Sequence, residues 1–441
     1  MTTLERAINH LDDRMNPIVV RELRQAMEGK FIASVLMLLL VVQLFVLGVF
    51  VLAQEVDGVG DEAGRDVFLV LLVVLLAISL LFIPTYTSMR MAMERNDPGG
   101  ADLMYVTTLK PRKVVSGKFL SAMMLTVLLF SACLPFMTLT YLLRGIDLPT
   151  VFLLVMMNFV IVGTMVMFGL LLASLPVTRA VQGVLTLVLL GVLVYLLFMS
   201  GEMASNLLRY GIGSVSVAWV AMALVGPVGV FGLMYVLAVA MVSPPSSNRG
   251  LIVRGYVTAA WLVSGAIVGY YAFLERDFLP MWSWMVLHFS VVGLMVLAAV
   301  SERETLRTRV RKQVPRAWLL RALVFPFYSG SASGLVWCVG MFAATAGVAA
   351  AVTRATGARL PGVSRNEQLD MIVRCLGVAG YVFAYAFTAW IIRRAVLRNW
   401  LYPVHTWALA LLMTAAGTVL PVLVTFFITP RDWWDMKATW M

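Results

Sequence analysis

Phe68-Leu69-Val70-Leu71-Leu72-Val73-Val74-Leu75-Leu76-Ala77-Ile78-Ser79-Leu80-Leu81-Phe82 is a run in which only Ser79 carries a polar side chain. It lacks the two-residue alternation of a barrel strand, so a β-barrel is excluded. Extended to residues 67–89, it is long enough to cross a hydrocarbon core of about 30 Å as a helix. Similar stretches occupy 31–53, 119–143, 151–175, 183–200, 217–242, 251–273, 281–300, 333–352, 371–392 and 404–428. Of the 441 residues, 61% are hydrophobic and 13% charged, and the mean hydropathy is +0.91. Soluble chains average about 45–50% apolar and about 25% charged. A soluble enzyme is therefore excluded. The expectation is an all-α, polytopic bundle of about eleven transmembrane helices in the cell (inner) membrane.

The formal net charge of +11 is a topology signal rather than a nucleic-acid signal, because Lys and Arg collect on the cytoplasmic side of membrane chains. With a cytoplasmic N-terminus, the inside loops hold 24 of the 34 Lys and Arg, and 13 of the 23 Asp and Glu fall outside. The odd span count would leave the tail with Trp433, Trp434 and Trp440 outside. No cleavable leader is expected, since charges of both signs precede the first span. Cys133, Cys338 and Cys375 lie in or beside apolar spans and read as small hydrophobes.

Two segments are patterned beyond what a lipid-facing chain needs. In residues 1–30, Asn16-Pro17 is a cap followed by a first-turn proline. The helix that follows places Val19, Val20, Leu23 and Met27 on one face and Arg21, Glu22, Arg24, Gln25 and Glu28 on the other, the pattern of a helix lying in the headgroup layer. The loop 90–118 is too long for a tight turn. Asp97-Pro98 looks like a second cap, and Ala101 to Val106 could form a short helix between Glu94-Arg95 and the basic run Lys110, Arg112, Lys113 and Lys118.

Other motifs fail. Gly117-Lys118 lacks the Ser or Thr and the earlier glycine of a phosphate loop. Gly58-Val59-Gly60-Asp61 matches a string of intramembrane aspartyl proteases, but the spans hold no second carboxylate. His10, His288 and His405 form no zinc motif. No catalytic residue, cofactor or metal is expected. The spans also lack the Asp, Glu or Lys of ion-coupled carriers, apart from Arg374 near a span end.

Taken in order, Asn16-Pro17-Ile18-Val19-Val20-Arg21-Glu22-Leu23-Arg24-Gln25, Glu94-Arg95, Gly100-Ala101-Asp102-Leu103, Thr107-Thr108-Leu109-Lys110-Pro111, Gly117-Lys118, Leu134-Pro135, Arg144-Gly145, Leu172-Ala173-Ser174 and Arg179-Ala180 resemble the permease subunits of type-2 ABC exporters over roughly residues 14–200. The resemblance implies an elbow helix carrying Asn16, Pro17, Arg21, Glu22, Leu23 and Arg24. It also implies a coupling helix in which Glu94, Arg95, Gly100, Asp102, Leu103 and Met104 meet a separate cytoplasmic ATPase. The implied layout is an elbow in 1–30, a permease-like domain in 31–242, and additional spans in 243–441 that the resemblance does not reach.

The function so implied is a non-enzymatic permease of an ATP-driven exporter. Its partners would be the ATPase, membrane lipid and a second permease, identical or different; no nucleic acid partner is implied. The alternative is a membrane-embedded structural or assembly subunit without transport. The basic loop 301–332, with Arg303, Arg307, Arg309, Arg311, Lys312, Arg316 and Arg321, reads first as a positive-inside anchor and second as a further docking surface.

Overall fold

A computed structural model describes residues 16–57, 63–96, 110–142, 146–211, 217–244, 247–302, 308–312, 314–357, 363–397, 400, 402 and 405–428. Their regular structure is helical throughout, and the chain forms two compact units, Met1–Pro244 and Pro245–Met441. Among the described residues, nine helices are long and apolar enough to cross a membrane.

The first unit contains α1 (Pro17–Glu28), α2 (Lys30–Asp57), α3 (Ala63–Asn96), α4 (Pro111–Leu142), α5 (Leu148–Ser174), α6 (Arg179–Tyr210) and α7 (Val217–Val242). Its core forms around α3, which contains the opening run. Phe68, Leu71, Leu72, Leu75, Leu76, Leu80 and Ile83 are buried, one helical face of a segment that is apolar on every face. They meet Val162, Val166, Met167 and Leu170 of α5 and Ala122, Leu129 and Cys133 of α4. Burial in a span tracks contact with other helices rather than hydrophobicity, since lipid is as apolar as leucine. Accordingly Leu38, Val41, Leu44 and Phe45 of α2 and Leu187, Tyr195 and Phe198 of α6 are exposed on the outside of the unit.

Pro84 interrupts α3, and around it Thr85 Oγ1 donates to the Leu81 carbonyl at 2.6 Å and Thr87 Oγ1 to the Ile83 carbonyl at 2.9 Å. Hydroxyls commonly supply such contacts where a proline breaks the ladder inside a membrane helix. At this level α5 crosses closely. A Cβ on Gly169 would lie 2.9 Å from the Pro84 carbonyl oxygen and 3.3 Å from Ser88 Cβ.

The second unit contains α8 (Arg249–Glu275), α9 (Leu279–Ser301), the single turn α10 (Thr308–Arg311), α11 (Trp318–Val324) with a 3-10 turn at Phe325–Phe327, α12 (Ser331–Thr356), α13 (Arg365–Ala395) and α14 (Thr406–Ile428). Phe278, Met281, Trp284 and Met285 on and before α9 pack with Ala346 and Ala349 of α12 and Ile372 of α13. Three indole N–H groups donate across helices: Trp261 to Thr345 Oγ1 at 2.9 Å, Trp284 to Ser264 Oγ at 2.8 Å, and Trp337 to Thr258 Oγ1 at 3.1 Å. Such bonds join helices where the apolar surroundings supply no driving force of their own.

The helices outrun the expected spans. At 34 residues, α3 is about 50 Å long at about 1.5 Å per residue, more than the roughly 40–45 Å of a bilayer with its headgroups. Arg90, Glu94 and Arg95, expected in a loop, therefore stand on the last turns of α3, and Arg112, Lys113 and Lys118 on the first turns of α4. Both flanks of the expected loop 90–118 are thus helical, and residues 97–109, with the Asp97-Pro98 cap and the 101–106 helix expected there, lie outside the described residues. The connection 301–332 contains α10, α11 and the 3-10 turn between the ends of α9 and α12. Gly58 to Asp61, Arg144-Gly145, Arg303, Arg307 and the tail tryptophans lie outside the described residues.

Gly169→Val should force α3 and α5 apart at the cost of about 1–3 kcal/mol, lowering the unfolding midpoint of the detergent-solubilised protein. Gly191→Val serves as the reference, because a Cβ there meets nothing within 4 Å. Equal midpoints for the two variants would refute the close crossing.

Candidate functional site

At one end of the first unit, α1 is seated against the start of α4. Asn16 Oδ1 accepts from the Ile18 amide at 3.2 Å, capping α1, while its Nδ2 donates to the Lys113 carbonyl at 2.6 Å. A Cβ on Gly117 would stand 2.8 Å from Asn16 Nδ2 and 2.9 Å from Ile18 Cβ. The glycine thus provides the space into which the N-terminus of α1 fits.

The next residue, Lys118, turns inward. Its Nζ lies 2.6 Å from Glu22 Oε1 and 2.8 Å from Glu94 Oε2. Arg21 Nη2 reaches Glu94 Oε1 at 3.1 Å, and Arg90 Nη2 approaches Glu22 Oε2 at 3.7 Å. Arg90 is fixed by donating from Nη1 to the Tyr86 hydroxyl at 2.9 Å and from Nη2 to Gln25 Oε1. One step further along α3, Arg95 Nη1 donates to the carbonyl of Ser174, the last residue of α5. Charged side chains therefore join α1, α3, α4 and α5 at a single level.

The side chains of Lys118 and Glu22 are 5% and 8% exposed, so neither ion is solvated well enough to stand alone. Burial pushes the Glu22 carboxyl up, but Lys118 beside it, with Arg90 and Arg21, more than offsets this and holds it below the usual carboxylate value. With two acids and three bases, the cluster carries a surplus positive charge. Between Glu22, Tyr86, Thr87, Arg90, Lys118 and Ser121 lies a cavity of about 20 Å³, room for about one water molecule. Such a junction ties α1, α3 and α4 to one another through their side chains. Among the described residues, no group of three or more His, Cys, Asp or Glu is placed to hold a metal ion.

Of the residues singled out in the sequence, the structure joins Asn16, Arg21, Glu22, Glu94 and Arg95 to this junction. Leu23 packs beside it with Ala26, Ile32 and Leu125, Pro17 occupies the first helical position, and Arg24 is exposed. The face assignment of α1 needs correction. Glu22 is buried together with Val19 and Ala26, whereas Met27 is 66% exposed. A helix projection places every carboxylate on the wet side, but Lys118, 96 residues away, supplies the charge that lets Glu22 face inward. Gly100, Asp102, Leu103 and Met104 lie outside the described residues. Arg90 and Tyr86 are not among the residues expected at the site; Lys118 stands in the basic run and, with Gly117, in the ordered resemblance, but neither gives it a role.

No family model, curated protein or solved structure matches the chain.

Lys118→Met should be strongly destabilising, by about 3 kcal/mol, because it leaves the Glu22 carboxylate buried beside cations at longer range. The double variant Glu22→Gln, Lys118→Met should lose less than Lys118→Met alone, as read from unfolding midpoints. Because the folded Glu22 carboxyl is held below its ordinary value of 4.5, its contribution is complete above that pH and disappears as the pH falls through the lowered value. Acidification should therefore lower the midpoint of the wild type more steeply than that of Glu22→Gln.

Proposed function

We propose that the chain is the membrane-spanning permease subunit of an ATP-driven exporter, moved by a separate cytoplasmic ATPase that binds around residues 94–109. The bracing of that segment at both ends carries the reading. On its α3 side, Glu94 is held by Lys118 and Arg21, and Arg95 by the end of α5. On its α4 side, Lys113 is held by Asn16 and Lys118 by Glu22. A partner pressing on 97–109 would push against a frame of four helices rather than a flexible loop. The ordered resemblance of residues 14–200 to type-2 ABC exporter permeases supports the same reading.

In this reading α1 is the elbow lying at the cytoplasmic membrane surface, and the N-terminus is cytoplasmic in the cell membrane. Val217–Val242 and Thr406–Ile428 bring the spans to eleven. Motion of the ATPase subunits on nucleotide binding tilts α3 and α4 together, because the junction prevents them from moving separately, and the bundle changes the face to which its path opens. A second permease, identical or different, completes the assembly.

The full chain, tagged and purified from its own host, should bring down an ATPase whose hydrolysis depends on the complex. Glu94→Lys combined with Leu103→Asp should leave the chain inserted in the membrane but abolish the stimulation. Purification without any nucleotide-hydrolysing partner, or stimulation that survives the double substitution, overturns the assignment.

A further inference from the structure

The second unit has a clamp of its own. Arg254, buried on the second turn of α8, donates from Nη2 to both carboxylate oxygens of Glu302, each at 2.8 Å. From Nη1 it donates to the carbonyls of Pro326 at 2.9 Å and Tyr328 at 2.6 Å. The Gly330 amide donates to Glu302 Oε2 at 2.6 Å, and Asn248 Oδ1 accepts from the Ser329 amide at 3.0 Å and hydroxyl at 2.8 Å. Residues 326–330 are thereby tied to the beginning of α8 and the end of α9, immediately before α12 begins. The Trp407 amide, in the first turn of α14, donates to Ser301 Oγ at 2.9 Å. The ends of four long helices thus meet in one layer.

Trp318–Phe327 enters this layer with no residue buried. Trp318 is 75% exposed and Leu323 69%, and Leu319, Leu320 and Phe325 are exposed as well. This segment is far too short to span, since crossing takes about 20 apolar residues. The approach to it carries exposed Arg311, Lys312 and Arg316, with Arg321 inside it, and residues 308–330 contain no Asp or Glu. Near the start of α14, Trp400 and Tyr402 are also exposed. Aromatic and basic side chains together at the ends of apolar helices mark the boundary between hydrocarbon and water.

We propose that Trp318–Phe327 is a membrane-surface binding site: its apolar side chains enter the leaflet, and Arg311, Lys312, Arg316 and Arg321 hold anionic phospholipid headgroups. A soluble partner fits the observations less well. The clamp fixes the segment at the level where spans emerge, and an apolar surface there faces lipid before it faces anything else. Basic residues close to an anionic leaflet each strengthen attachment, and residues 308–330 carry no acidic side chain to oppose it. The clamp prevents this attachment from drifting away from the helix ends, so lipid composition acts directly on α8, α9 and α12. This inference requires only that the second unit spans a membrane, not that the chain transports anything.

The test uses the full chain in nanodiscs of phosphatidylcholine, with or without phosphatidylglycerol, carrying a nitroxide at Leu323→Cys in a Cys375→Ala background. The nitroxide should be accessible to oxygen and shielded from an aqueous nickel chelate. The phosphatidylglycerol retained relative to phosphatidylcholine should fall about tenfold or more when Arg311, Arg316 and Arg321 are all changed to Glu. Changing the same three to Lys should preserve retention, which separates loss of charge from loss of fold. Free access of the nickel chelate, retention that ignores charge reversal, or shielding that appears only when soluble protein is added would each overturn the proposal. None of these outcomes bears on whether an ATPase copurifies.

Discussion

Lys118 is an ammonium group nearly sealed from water at the end of an apolar bundle, and its neutralisation organises that end of the first unit. One carboxylate would satisfy its charge, yet it has two, Glu22 from α1 and Glu94 from α3. Each belongs to a different helix, so both ion pairs form only when all three helices are in register. A buried pair of this kind adds little net stability over an apolar contact, because desolvation consumes most of the attraction. Its effect is geometric. Sliding α1 by one residue would turn Glu22 away from Lys118 and strand its carboxylate, an error far costlier than a misplaced leucine.

The same logic explains the small residue beside it. Lys118 reaches Glu22 only if α1 lies almost in contact with α4, and Gly117 removes the side chain that would hold them apart. Asn16 then closes the gap with a cap to its own helix and a bond to the other. Gly117 and Lys118 thus act as one device: the first sets the distance and the second uses it.

The sequence makes the helices legible and their faces illegible, for a reason visible in the opening run. Residues 68–82 are apolar at nearly every position, so length alone identifies a helix, but no periodicity shows which side faces protein. Leu72 and Val70 look alike in the sequence, yet one is buried and the other is 46% exposed. The choice is made by packing against α4 and α5, which a local reading does not see. In α1 the failure is of another kind. Periodicity is present and places Asn16 and Pro17 correctly at the helix start, but it treats Glu22 as a wet residue because its counter-charge is 96 positions away. The helices run past the expected spans where charged residues continue them beyond the hydrocarbon, as at Arg90 to Asn96, because charge marks the end of the hydrocarbon and not of the helix.

Arg254 and Glu302 obey the constraint that governs Lys118, but they use it differently. Lys118 bridges carboxylates on two helices, α1 and α3. Arg254 divides its donors between the Glu302 carboxylate and backbone, the carbonyls of Pro326 and Tyr328, and Glu302 accepts from the Gly330 amide. A guanidinium suits that task because its fixed fork can satisfy a carboxylate and two carbonyls at once, which an ammonium on a flexible stem does less rigidly. The lysine junction therefore fixes helices relative to one another, and the arginine clamp fixes the shape of a turn. Moving α1, α3 or α4 alone would break the lysine junction, whereas displacing Trp318–Phe327 would first have to deform the turn that Arg254 holds.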